Sequence, residues 1–297
     1  MPVNSRLAKL ARGAKDLVYV THGDGTALAV VMAPVMPTWD EGAFFAPITE
    51  RLVALGYRVM IFDSLSLQPA HHDLDTYASA WRRVLQRLGP IHLLAGSALG
   101  GALVQSLLDT RWAAQIPLTL LISAPTKADT QLDQRLGQMA KLAAASELPQ
   151  ALRWLDYWIA PDTSTTALLP PALHAPVARP PAAQRPDLQT QGYPLSKPPY
   201  PALDNAHIQA CARLARGFGL LQGLDVGDAV KPYPGKLLSV YGEQSQLVRA
   251  SNISFLRTER HLAVSIPGSG MRPHIEQPAQ VWACVQEHLH LTAHIAP

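Results

Sequence analysis

The run His92-Leu93-Leu94-Ala95-Gly96-Ser97-Ala98-Leu99-Gly100-Gly101-Ala102 passes from an apolar strand pattern, through closely spaced glycines, into a helical pattern. A tight strand-to-helix turn of this kind can expose a nucleophile at a helix N-terminus. It needs small residues two before and two after that position, because the backbone is strained and packs closely. Gly96 and Gly100 meet that need, and the residue midway between them is Ala98, which carries no nucleophilic atom. Ser97 stands one position early. Centring the turn on Ser97 would put Ala95 and Leu99 where small residues belong, and neighbouring side chains of a tight turn project in different directions. Ser97 is therefore not expected to be presented for attack.

Two later segments have a related pattern. The stretch Tyr241-Gly242-Glu243-Gln244-Ser245-Gln246-Leu247-Val248 follows a strand signal, and Ile266-Pro267-Gly268-Ser269-Gly270-Met271-Arg272-Pro273-His274-Ile275-Glu276-Gln277-Pro278 follows the last one. Together the three segments resemble the α/β-hydrolase superfamily. The first is similar to its nucleophile elbow, G-x-S-x-G, the second to its acid loop, H-G-x-x-D-x-x-V, and the third to its base loop, I-P-G-x-G-H-x-P-H-x-E-x-P. The resemblance covers the chain from about Leu17 to Leu289 and implies a mostly parallel sheet with helices on both faces.

Under this resemblance Ala98 stands at the nucleophile, Ser245 at the acid and Met271 at the base. A serine hydroxyl can bond an imidazole but supplies no charge to stabilise an imidazolium. Methionine has no proton to exchange, so general-base activation fails at Met271. Glu243 compensates only in a rearranged loop, and His274 matches the family's second histidine, outside the triad. After the first central strand, Ala33-Pro34 replaces the family's His-Gly, while the N–H of Val35 is retained; His22-Gly23 precedes that strand and is no substitute. A chain that has lost all three triad groups is expected to shed the strain and desolvation costs of a triad as well.

Three functions follow as alternatives. One is a non-hydrolytic protein whose pocket, formed by Val35, Met36, Ser97, Ala98, Leu99, Trp154, Trp158 and Met271, binds an apolar or acyl-type small molecule or supports a partner enzyme. The second is a lyase, decarboxylase or cyclase of a biosynthetic pathway, acting by orientation and exclusion of water. Its acid–base candidates are Asp63, His71, His72 and Asp73; the alternative reading of these residues is a solvated loop with Asp75 capping the next helix. The third is an esterase or thioesterase with displaced catalytic residues. Adjacent histidines rarely face one ion, so His71 and His72 predict no metal site, and no cofactor is implied.

The elements that must position these residues alternate along the chain. Strands are predicted at 28–33, 59–62, 91–95, 118–123, 237–241 and 262–266, short and nearly all apolar as in a sheet buried on both faces. An earlier strand, 17–21, ends at Gly23-Asp24-Gly25 and should pair at the sheet edge. Helices are predicted at 44–55, 76–88, 99–108, 207–221 and 278–289. The alternation breaks between Ser123 and His207, where helices at 131–145 and 148–159 precede a tract from Pro161 to Pro201 containing eleven prolines. Proline fixes φ and offers no N–H, so this tract should be extended. The expected organisation is a basic segment over 1–16, a core over 17–125 and 207–291, and a cap over 126–206.

A hydrophobic fraction of 48% with 16% charged residues excludes a disordered chain. The net charge of +3 is too mild and scattered for a nucleic-acid partner. Arg6, Lys9, Arg12 and Lys15 recur at three-residue spacing and form, on this reading, a solvated terminal helix. Cys211 and Cys284 have no paired spacing and fit a reducing compartment. With no signal-like opening and no apolar run long enough to span a bilayer, the expected location is cytoplasmic.

Overall fold

The computed structural model describes residues 17–67, 73–162, 204–255 and 257–291. The expectations for residues 1–16, for His71 and His72, and for the proline-rich tract over 163–203 lie outside the described residues.

Among the described residues, seven strands form one sheet. They are Tyr19–His22 (β1), Ala27–Met32 (β2), Tyr57–Phe62 (β3), Leu93–Ser97 (β4), Leu118–Ile122 (β5), Lys236–Gly242 (β6) and His261–Ile266 (β7). The order is β1-β3-β2-β4-β5-β6-β7; β1 runs antiparallel to β3 and all other pairs are parallel. The helices are Ala46–Ala54 (α1), Leu74–Leu85 (α2), Leu99–Gln105 (α3), Thr130–Ala144 (α4), Leu148–Ile159 (α5), Asn205–Gly219 (α6), Gly227–Val230 (α7), Pro273–Glu276 (α8) and Pro278–Leu289 (α9).

Every residue of β2 is buried, and alternate side chains enter two different cores. Leu28, Val30 and Met32 pack in the core that holds Tyr77, Trp81 and Leu85 of α2 and Leu103 of α3. Ala27, Ala29 and Val31 pack in the core of Ile48 and Leu52 of α1 and Val281 and Val285 of α9. This two-sided cover is why the strands read as continuous apolar runs. Leu132, Leu136 and Met139 of α4, with Ala151 and Trp158 of α5, belong to the first of these cores.

β1 pairs at the sheet edge as expected, antiparallel to β3, with Tyr19 opposite Phe62 and His22 opposite Val59. Gly25 allows the chain to pass closely: a Cβ there would lie 1.8 Å from the carbonyl oxygen of Gly56, at the turn that opens β3. One local expectation needs correction. Asp75 does not cap α2. The cap is Asp73, whose carboxylate accepts the N–H of Thr76 at 2.8 Å, while Asp75 sits in the first turn and complements the helix dipole. Within this helix the Tyr77 hydroxyl and the Trp81 Nε1–H both donate to the Ser64 carbonyl, which ties the helix to the loop after β3.

The chain turns from β2 to β3 on one side, then crosses β2 to β4 on the other. Ligands of open α/β sheets bind at the carboxyl ends of the strands flanking such a reversal. Here those ends carry Ala33-Pro34-Val35 and Ser97-Ala98.

Candidate functional site

β4 ends at Ser97 and α3 begins at Leu99, so Ala98 makes the whole turn between them, with φ 47° and ψ −114°. That region strains any residue with a Cβ by about 1–3 kcal/mol. The expected loss of strain is therefore wrong: the elbow keeps its strained geometry around a methyl group. Its close packing explains the glycines. A Cβ on Gly96 would sit 2.5 Å from the Gly100 carbonyl carbon, and one on Gly100 would sit 2.1 Å from the Met32 carbonyl oxygen. Neither position accepts a side chain.

The loops after β6 and β7 are drawn together in the same way. A Cβ on Gly242 would lie 1.9 Å from the Gly270 carbonyl oxygen. The Gln244 N–H donates to the Ser269 carbonyl at 2.8 Å, and the Met271 N–H donates to the Ile159 carbonyl at the end of α5 at 3.1 Å. This places the buried Ser245 hydroxyl against the buried Met271 thioether, Oγ to Sδ 3.7 Å.

Acidic side chains brace these loops through the backbone. Glu276 accepts from the N–H groups of Gly270 and Arg272, one on each oxygen, and Glu243 accepts from Gly268. Asp40 does the same for the loop before α1, taking the N–H groups of Gly42 and Phe44. His274 is fully buried, stacked on Phe45 and edge-on to Phe44. Its Nε2 lies 2.9 Å from the Phe44 carbonyl, which only accepts, so Nε2 carries the proton. Burial pushes its pKa down to about 4; the Phe44 carbonyl opposes that shift and the positive Arg272 adds to it.

The elbow opens into a cavity of about 230 Å³. Its floor is Ser97 and Ala98; Val35 and Met36 form one wall, Leu132, Leu136, Leu155 and Ile159 another, and Leu247, Val248 and Met271 a third. Among the described lining residues Arg272 is the charged one. The Val35 N–H makes no main-chain hydrogen bond among the described residues, and Leu99 opens α3, so its N–H has no acceptor within that helix.

No protein-family model matches the sequence, and no curated protein does. Solved structures do match. An α/β-hydrolase enzyme, MGS-M2, from a Medee basin deep-sea metagenome library is similar with a TM-score of 0.66 at 12% identity, over 93% of this chain and 94% of that one. A bromoperoxidase from Bacillus anthracis aligns with a TM-score of 0.63 at 15% identity, over 92% and 95%. An esterase from Exiguobacterium antarcticum aligns with a TM-score of 0.60 at 15% identity, over 92% and 96%. The chain has the α/β-hydrolase fold.

Within that hydrolase fold the residues singled out from the sequence separate into two groups. Val35, Met36, Ser97, Ala98 and Met271 line the cavity. Leu99, Trp154 and Trp158 lie elsewhere. Leu99 is fully buried in the core under α3, Trp158 is sandwiched between Trp154 and the Arg135 guanidinium, and the helix turns Leu155 and Ile159 to the cavity in their place. Asp63 is not positioned for acid–base work. It is bonded through both oxygens to Arg213 of α6 at 2.9 Å, and Arg213 also donates to the Met36 carbonyl. Asp73 is occupied as a helix cap. Sequence reasoning missed Arg213 and Arg272, the first because it lies 150 residues from its partner. The second had a signal, a lone cation inside the base-loop pattern.

Among the described residues no group of three or more His, Cys, Asp or Glu side chains is placed to hold a metal ion, and no helix is long and apolar enough to cross a membrane.

Proposed function

We propose that this hydrolase-fold protein is not a hydrolase and that its cavity binds an apolar or acyl-type small molecule. On this reading Ala98, Ser245 and Met271 occupy the nucleophile, acid and base positions. The single observation that carries it is the coincidence of Ala98 in the strained elbow with Met271 bonded by Ser245 beside the same cavity. Alanine offers no attacking atom, and a thioether accepts a hydroxyl bond without taking its proton.

The lining supports a binding role. Apart from Ser97 and Arg272 its side chains are apolar, which favours a ligand buried through area and shape. Helices α4 and α5 supply the roof. A lyase-type reaction is less well supported, because Asp63 and Asp73, its described acid–base candidates, are committed to Arg213 and Thr76.

The test is native mass spectrometry of the purified full chain, followed by titration with acyl probes, with Leu136→Trp as the blocked control. Co-purified small molecules that disappear in the blocked variant support the reading. Turnover of an ester by the wild type, lost on changing Ser97, overturns it.

A further inference from the structure

We propose that the cavity takes a medium-chain carboxylate, its tail inside and its anionic head at the mouth on Arg272; this rests on the reading of the cavity as a binding site. Three observations lead there.

The first is where charge stands. Arg272 is exposed at the rim and its guanidinium makes no hydrogen bond or ion pair among the described residues. The neighbouring acid, Glu276, directs its two oxygens to the N–H groups of Gly270 and Arg272 and not to the guanidinium. The Arg272 main chain is thus held by the Glu276 carboxylate, while its guanidinium has no ion pair among the described residues. The N–H of the preceding residue, Met271, bonds the Ile159 carbonyl of α5, which anchors the backbone that carries Arg272.

The second is polarity along the depth of the cavity. No other described lining residue is charged, and the elbow side of the cavity is formed by Ser97 and Ala98. An ionised head placed at the floor would meet the Val35 and Leu99 N–H groups but no counter-ion, whereas at the mouth it keeps water and meets a planar guanidinium suited to a carboxylate. That fixes the orientation as head out and tail in.

The third is size. An apolar cavity of roughly 150 Å³ takes a benzene ring, so one of about 230 Å³ takes roughly nine carbon atoms in the same packing. Decanoate has that tail behind its carboxylate.

The experiment is isothermal titration calorimetry of the full chain with hexanoate, decanoate, palmitate and decanol, on wild type, Arg272→Ala and Leu136→Trp. Decanoate is expected to bind more tightly than hexanoate or palmitate, and about fivefold more tightly than decanol, as a single partly exposed ion pair provides. High salt and Arg272→Ala should each erase the fivefold difference between decanoate and decanol. Equal binding of decanoate and decanol to the wild type, or a decanoate advantage that survives Arg272→Ala, overturns this proposal and leaves the binding reading standing. Failure of all four probes, or undiminished binding in Leu136→Trp, overturns both.

Discussion

The Ser245 hydroxyl donates to the Met271 sulfur across 3.7 Å, joining the loops that follow the last two strands of the sheet. The contact is weak and uncharged. On the proposed reading, in which Ala98, Ser245 and Met271 stand at the nucleophile, acid and base positions of the fold, ester hydrolysis would require all three groups to be supplied. Ala98→Ser, Ser245→Asp and Met271→His combined are expected to give fluorophosphonate labelling at position 98 and ester turnover at least about tenfold above the wild type. Ala98→Ser alone should stay near background. Equal activity in the single and combined variants would show that another group serves as base.

The strain at Ala98 can be read out as stability. With φ 47° and ψ −114° the position suits glycine, so Ala98→Gly should raise the unfolding free energy by about 1 kcal/mol in a denaturant titration. Gly100→Ala should lower it by about 3 kcal/mol or more, because the new Cβ would overlap the Met32 carbonyl. Opposite signs from two small substitutions two residues apart would be hard to obtain from any other backbone geometry.

The pairing of Asp63 with Arg213 predicts a structural phenotype. The Asp63 side chain is 3% exposed and that of Arg213 21%, so Arg213→Ala leaves a buried carboxylate without its partner and should cost about 3–5 kcal/mol. Exchanging both, Asp63→Asn with Arg213→Met, should recover part of that loss, which chemical denaturation of the single and paired variants will reveal. An acid–base role for Asp63 would instead leave stability nearly unchanged.

His274 gives the protein a pH dependence of known sign. Its folded pKa, about 4, lies below the ordinary 6.5, so between those values the unfolded chain binds the extra proton. Stability is complete above about pH 6.5 and falls as the pH drops toward 4, by about 3 kcal/mol from this residue. His274→Gln, which keeps a donor for the Phe44 carbonyl, should flatten the stability profile between pH 4 and 6.5. An unchanged slope would assign it to other groups.

The core elements were legible because burial on both faces leaves apolar runs that punctuation by glycine and proline delimits; α9 and α5 begin and end where the periodicity places them. The elbow was legible because Gly96 and Gly100 are demanded by backbone contacts that no other residue satisfies. What escaped was decided by tertiary partners. Asp73 and Asp75 are equivalent as caps in the sequence, and the structure resolves the choice through the Thr76 N–H, which donates to Asp73. Periodicity put Trp154 and Trp158 on one face of α5 with Leu155 and Ile159 beside it, and cannot say which edge of that face meets a cavity. Arg213 acquires its meaning from Asp63, far along the chain, and Arg272 from having no ion pair among the described residues.

The most direct measurement is intact-protein mass spectrometry of the wild type after exposure to a fluorophosphonate, run beside a p-nitrophenyl ester assay of wild type and Ser97→Ala. The account predicts no adduct on the elbow and identical background rates for the two proteins. An adduct on Ser97, or ester cleavage abolished by Ser97→Ala, would contradict it.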